Sequence, residues 1–406
     1  MLNISEIRKD FPMLDKDFIY FDNGATTFKP YPVINAVNEF YTNYSSNIHR
    51  GDYDISIKAS KLYDDTRVLV RDFINANDEK EIVFTSGASE SLNTFAYGYG
   101  LKYLKKGDVV LTTLEEHASS VLPWFDLQKR IGIVVKYIPL NEDGTFNLDK
   151  YKECFKDEAV KVVSIAYVSN VLGYVNPIKD ITKIAHDNNA IVSIDGAQAV
   201  PHLKIDVKDL DIDFLSFSAH KMCGPSGVGV LYGKFDLLDT INPLKYGGGA
   251  NSRFDKEGNV LLSLTPQRFE AGTPNIEGVI AFGEAIKYLS KLDMNEIHKR
   301  DLELSNYLLS KLDKLDNIDI YNHKTECGIV SFNVKGIFAQ DVASYLNASK
   351  ICVRSGNHCA KILHNAIGVN ETIRVSMYFY NTYEEIDKFV EVIKDVTLEK
   401  CIGAVI

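Results

Sequence analysis

Ser218-Ala219-His220-Lys221-Met222-Cys223-Gly224-Pro225-Ser226-Gly227-Val228-Gly229-Val230-Leu231-Tyr232 sets one lysine between an apolar, strand-like run and a glycine-rich return into a second strand. A lysine held away from water in such a turn gives up its charge readily and can form an imine with an aldehyde. Taken alone the segment also fits a plain turn, because Gly-Pro-Ser-Gly is turn chemistry and most lysines are solvated. The reading sharpens upstream, where the apolar run Ala190-Ile191-Val192-Ser193-Ile194 ends in Asp195.

Working outward, short β-branched runs alternate with helical-period segments from about residue 80 to 230, which predicts a mainly parallel sheet with helices on its faces. The runs are Glu81-Ile82-Val83-Phe84-Thr85, Asp108-Val109-Val110-Leu111-Thr112, Val162-Val163-Ser164-Ile165-Ala166 and Ile191 to Asp195, with a helix expected from near Pro177 through Ile184 to Asn188. After about residue 280 a long helical pattern runs through Ile286 to Leu312. Strand-like Gly328 to Val334, a helix near Gln340 to Leu346, a strand near Ile373 to Met377 and a last helix near Glu384 to Val396 follow. That order suits a smaller α/β C-terminal domain built on an antiparallel sheet.

Ligands in open α/β sheets collect at the carboxyl ends of strands, and there the chemically suggestive residues cluster: Ser86 to Glu90, His117, Asn170, Asp195 and Lys221. Ser86-Gly87-Ala88-Ser89-Glu90 opens a helical run, so backbone N–H groups and the helix dipole converge on an anion beside the Ser89 hydroxyl. An ordinary N-cap reads the same way. Ser218 and His220 stand ready as further phosphate contacts. A lysine for a Schiff base and an aspartate for a pyridinium nitrogen are the two protein groups that pyridoxal phosphate chemistry requires. Gln198 is three residues past Asp195, within reach of a ring hydroxyl. His117 at a strand end can stack on an aromatic ring and pass a proton near neutral pH. Asn170 reads either as a turn residue or as a donor to ring or substrate.

Composition narrows the class. Hydrophobic residues at 45% and charged residues at 25% are those of an ordinary globular protein, and 45 Lys+Arg against 55 Asp+Glu gives a charge of -10 that argues against nucleic-acid or membrane-surface binding. The N-terminus lacks the apolar core of a signal peptide, so a cytoplasmic protein is expected. Six cysteines without CxxC spacing disfavour structural zinc or a disulfide framework; no metal site is expected, and any cysteine that matters acts as a thiol. No GxGxxG follows an early strand, which sets aside a nucleotide-binding dehydrogenase.

The chain resembles the SufS-like cysteine desulfurases of the class V aminotransferases, which are fold-type I pyridoxal-phosphate enzymes. The resemblance is carried by Phe21 to Thr27, Asn47-Ile48-His49-Arg50-Gly51, Thr85 to Asn93, Glu116-His117, Val168 to Gly173, Asp195-Gly196-Ala197-Gln198, Ser218 to Tyr232, Arg268 to Asn275 and Val353 to Cys359. It implies pyridoxal 5'-phosphate linked to Lys221, with Asp195 at the pyridinium, Gln198 at the ring hydroxyl and His117 on the ring face. Ala88, Ser89, Asn170, Ser218 and His220 match further cofactor contacts, and Thr273 matches one supplied by the second subunit of a homodimer with shared active sites. Arg374 matches the residue that grips the substrate carboxylate, helped by Asn170 and His49, and Cys359 matches the thiol that takes sulfur from L-cysteine as a persulfide. A large domain over residues 19–290 and a small one formed by 1–18 and 291–406, carrying the cysteine loop, are expected. So are L-alanine as product and a sulfur-acceptor protein, with iron–sulfur cluster assembly as the destination.

The match departs around the cysteine. This chain has Asn357 where a histidine is common, and reads Ala360-Lys361-Ile362-Leu363-His364 where the family carries a proline, so the loop is expected to be looser or reshaped. A class V aminotransferase, a selenocysteine lyase or another lyase stays open as the alternative, as does a non-catalytic protein that keeps the fold.

Overall fold

In the computed structural model, which describes residues 2–156 and 159–405, the β-branched runs become one seven-stranded sheet. Its spatial order is Ile82–Thr85, Gly229–Gly233, Phe214–Ser218, Ile191–Asp195, Val160–Ala166, Val109–Thr113 and Val134–Ile138. Every neighbouring pair is parallel except the two made by Gly229–Gly233, which runs against both of its partners. Six strands therefore deliver their carboxyl ends to the same edge.

The strands read as continuous apolar runs because both faces are covered, and successive side chains go to opposite faces. Val110, Phe214 and Leu231 pack on one side with Phe95, Trp124 and Leu127 of helices Ala88–Tyr103 and Ala118–Ile131. Leu111, Leu215 and Val230 face the other core, with Ile181 of Ile178–Asp187 and Val279, Phe282 and Ile286 of Ile276–Leu292. The reversed strand begins at Gly229, whose position is fixed by contact: a Cβ there would sit 2.4 Å from Gly87 Cα. The bare backbone lets the Ser86-Gly87 turn close over the sheet edge.

A second, four-stranded antiparallel sheet orders Ile318–Ile320, Ile329–Val334, Thr372–Ser376 and Arg354–Gly356. Phe332, Ile373 and Val375 bury against Leu304 and Leu308 of Met294–Leu312, Leu346 of Ala339–Ala348 and Phe389 of Tyr383–Lys394. The long helical pattern expected through Ile286 and Leu312 is two helices, parted at Asp293 with φ 70°. A further helix, Leu398–Val405, follows the one expected to be last. Ile19–Tyr20 pairs in parallel with Ile351–Cys352, tying the start of the chain to this second layer. Among the described residues no helix is long and apolar enough to cross a membrane.

The edge strand Ile82–Thr85 is held by a buried ion pair. Arg67, on helix Asp54–Phe73, meets Glu270 at 2.7 Å, and the two side chains are only 5% and 9% exposed. Arg67 Nη1 also donates to Ile82 O at 2.6 Å, while Glu270 accepts from Phe84 N–H at 2.7 Å and from the Tyr63 hydroxyl at 3.1 Å. The open edge is thereby satisfied by side chains. Removing one partner strands the other charge in the interior. Glu270→Ala is expected to lower stability by about 3–5 kcal/mol in urea unfolding followed by circular dichroism, with the Arg67→Met/Glu270→Leu double variant recovering most of the loss.

Candidate active site

The shared strand edge walls a cavity of about 300 Å³. Ala88, Ser89, His117, Asn170, Asp195, Gln198, Ser218, His220 and Lys221 line it from the large sheet, while Arg354, His358, Cys359 and Arg374 close it from the small one. Eleven of the thirteen residues singled out in the sequence meet there.

Lys221 ends the short turn Ala219–Lys221 that follows strand Phe214–Ser218. Burial pulls its ammonium down to about 8, against the pull of Asp195 and with help from Arg374 and Arg354. His220 is pulled down to about 4 by burial, reinforced by Lys221 and Lys29, and is therefore neutral at pH 7. His117 caps helix Ala118–Ile131, its Nδ1 accepting from Ser119 N–H at 3.1 Å. Burial lowers its pKa despite Asp195, so the neutral ring carries its proton on Nε2.

The remaining polar atoms are set for a ligand. Asp195 is buried at its strand end and accepts from Ala197 N–H at 2.9 Å. Gln198 Nε2 donates to Gly24 O at 2.8 Å, which leaves Oε1 buried without a partner. Ser218 Oγ accepts from Ala88 N–H at 2.7 Å and keeps its own proton free to donate, and Ser89 Oγ lies 2.6 Å from Ser119 Oγ. A helix start with hydroxyls, a carboxylate, an orphan acceptor and a weakly basic amine fit a phosphorylated heteroaromatic aldehyde bearing a ring hydroxyl.

On the opposite wall Arg374 is 2% exposed, with Nη1 donating to Asn170 O at 2.9 Å and Nη2 lying 3.3 Å from Asp22 Oδ1. Arg354 grips the same carboxylate through Nε at 3.0 Å and Nη2 at 2.9 Å. Sequence reasoning passed over Asp22 and Arg354 as site residues, although both lie in quoted motifs. Only the register, which puts Arg354 directly opposite Arg374, shows why a counter-ion is needed. It also passed over Glu115 and Glu116, buried beside His117 and pushed by desolvation up to about 7 and about 8.

Cys359 is the one exposed thiol among the described residues; Cys223, Cys327 and Cys401 are buried and Cys154 and Cys352 partly so. Cys223 is pushed up to about 12 by burial and is inert at neutral pH. The stretch after Cys359, expected to be looser or reshaped without the proline, forms a short helix, Lys361–Ala366. Leu363 on that helix is buried with Val171, Leu172 and Tyr174, which anchors it.

His49 and Thr273 are elsewhere. They line a second cavity with Arg50, Gly248 and Gly249, and His49 Nε2 is held 3.1 Å from Asp64 Oδ2. Within one chain, His49 does not face the Lys221 cavity where a substrate contact was expected, because its turn, with φ 62°, directs the ring to helix Asp54–Phe73.

The whole chain has known likenesses. The aminotransferase class-V family model matches residues 19–389. A probable cysteine desulfurase of Halalkalibacterium halodurans is 41% identical over 391 residues, which are 95% of this chain and 96% of that one. The solved structure of a cysteine desulfurase from Thermococcus onnurineus superposes with a TM-score of 0.93 at 38% identity, over 97% of this chain and 98% of that one. An Escherichia coli cysteine desulfurase in an S-sulfonic acid form gives 0.92 at 30% identity, over 99% of both chains. Likeness this extensive, in sequence and in backbone alike, covers both sheets and the cavity between them: the chain belongs to the class-V aminotransferase family and groups with its cysteine desulfurases.

Proposed function

We propose that this chain is a pyridoxal-phosphate-dependent cysteine desulfurase that converts L-cysteine to L-alanine and takes the sulfur onto Cys359. The observation that carries the reading is the convergence of Lys221 and the exposed thiol of Cys359 on one cavity from different sheets. Lys221 would hold the cofactor covalently, Asp195 its ring nitrogen, Gln198 its hydroxyl and His117 its face, with Ser89, Ser218 and His220 at the phosphate. When bound, pyridoxal phosphate supplies an electron sink for the Cα–H bond of an amino acid.

The protein's own groups do the rest. Arg374 receives the substrate carboxylate in a two-pronged hydrogen bond, and Asn170, already fixed by Arg374, borders it. That grip selects which Cα bond faces Lys221. Lys221, neutral above about pH 8, lifts the Cα proton and returns it elsewhere on the substrate skeleton. His117, protonated on Nε2 in its neutral form with Nδ1 taken by Ser119 N–H, presents a donor to the ligand, and the substrate thiol proton stays on the sulfur that is transferred. Cys359, as thiolate, attacks the substrate sulfur: an S–S bond forms, the Cβ–S bond breaks, and its electron pair stays with carbon, which is protonated to alanine. Cysteine and enzyme thiol thus yield alanine and enzyme persulfide with atoms in balance.

The same reading takes residues 19–290 as the cofactor domain and 1–18 with 291–406 as the domain that brings Cys359 to it. It pairs two chains so that Thr273, and with it His49, completes the partner's site, which accounts for their place in a separate cavity. The persulfide passes to an acceptor protein, with iron–sulfur cluster assembly as the fitting consumer.

Brief exposure of the loaded enzyme to L-cysteine is expected to add one reducible sulfur to Cys359 with matching alanine by mass spectrometry, and Cys359→Ala is expected to lose sulfur transfer by roughly a hundredfold while keeping its spectral response to cysteine. An unmodified Cys359 with amino transfer to a 2-oxo acid would instead mark an aminotransferase. In cofactor-free protein, acylation of Lys221 requires the neutral amine, so its rate is expected to rise through a midpoint near pH 8, below the ordinary lysine midpoint of about 10.4. Peptide mapping across pH 6–11 checks this.

A further inference from the structure

His358 and Cys359 both take left-handed backbone conformations, with φ 49° and 59°, which are uncommon for any residue but glycine and more so for two in succession. Such a pair persists only where its surroundings over-determine it. Asn170 Nδ2 donates to His358 O at 2.8 Å, and Ala118 N–H donates to Cys359 O at 2.8 Å. From the other side Thr372 Oγ1 lies 2.9 Å from His358 Nε2 and 3.1 Å from His364 Nε2, while His364 Nδ1 lies 3.0 Å from Ala360 O.

With both rings neutral these contacts admit one arrangement of protons. A carbonyl only accepts, so His364 carries its proton on Nδ1 and leaves Nε2 bare. The Thr372 hydroxyl must then donate to His364 Nε2, and its oxygen accepts from His358 Nε2–H. His358 Nδ1 is left unprotonated, buried and without a partner, in a residue that is 8% exposed and lines the cavity beside Cys359. Neutrality is enforced by burial at both rings, with Arg374 and Arg354 adding to it at His358 and Lys361 opposing protonation of His364 against Glu371.

We propose that Thr372 and His364 are positioning residues that lock His358 in its Nε2–H tautomer and so hold the Cys359 turn in place. His364 stands in the stretch where a proline would have stiffened the backbone; here side chains supply the constraint. Only the activity arm of the test rests on the desulfurase reading.

The test is long-range proton–nitrogen correlation on histidine-labelled holoenzyme, with the two rings assigned through His358→Gln and His364→Gln. The expected pattern is Nε2–H for His358 and Nδ1–H for His364, with Thr372→Val converting His358 to mixed tautomers and Thr372→Ser restoring the single form. Thr372→Val is also expected to slow persulfide formation roughly tenfold with the KM for L-cysteine nearly unchanged, as misplacement of a reacting group does. An Nδ1–H or charged His358 in the unaltered protein, or Thr372→Val with unchanged tautomers and rate, would overturn the proposal. Should Thr372→Val fail to fold, the tautomers of the unaltered protein and of Thr372→Ser decide. If the unaltered protein releases no alanine from cysteine, the functional reading falls and the tautomer pattern still decides the relay.

Discussion

The carboxylate of Asp22 lies between two guanidinium groups that would otherwise face each other across adjacent strands. Like charges directly opposite in a sheet repel, and the Asp22 carboxylate offsets that repulsion. The segment that brings Asp22 touches both halves of the molecule. Gly24 N–H donates to Ser376 Oγ at 2.8 Å, Gly24 O accepts from Gln198, and Thr27 N–H donates to His220 O at 3.0 Å. Residues 22–27 thus staple the small sheet to the lysine turn, and the spacing between Arg374 and Lys221 depends on that staple.

Burial is the common cause of the site's acid–base character. The same desolvation lowers Lys221 and His220 and raises Glu115 and Glu116, always in favour of the neutral form. Weakly basic nitrogens then coexist with two arginines and with one another. A strand edge suits this, because it places side chains at the rim of a packed core while each backbone stays in its ladder.

The strands around Val110, Val163 and Val192 were readable because they are buried on both faces and so are apolar throughout. Val134–Ile138 was not picked out: it is an edge strand whose side chains alternate with solvent, and Lys136 interrupts its apolar run. The split at Asp293 hides because both helices keep the same period and the break rests on a single backbone angle. Lys221, Asp195 and the residues on strand ends were legible as chemistry, since each has a residue type and a position that match a need. Asp22, Arg354 and the Thr372–His364 contacts were not, because their meaning lies in register and in proton direction, which no spacing encodes. His49 and Thr273 show the same limit at a larger scale: motif membership groups them with the other site residues, while the fold of one chain sets them in a separate cavity.

The distribution of thiols bears on the fate of transferred sulfur. A persulfide next to a second accessible thiol would be attacked within the chain, closing a disulfide and shedding hydrogen sulfide. Here the described residues present no second exposed thiol to Cys359. On the proposed reading, sulfur loaded at Cys359 is shielded from self-discharge and leaves when another molecule's thiolate comes to collect it. The cavity would then work as a loading dock with a single berth.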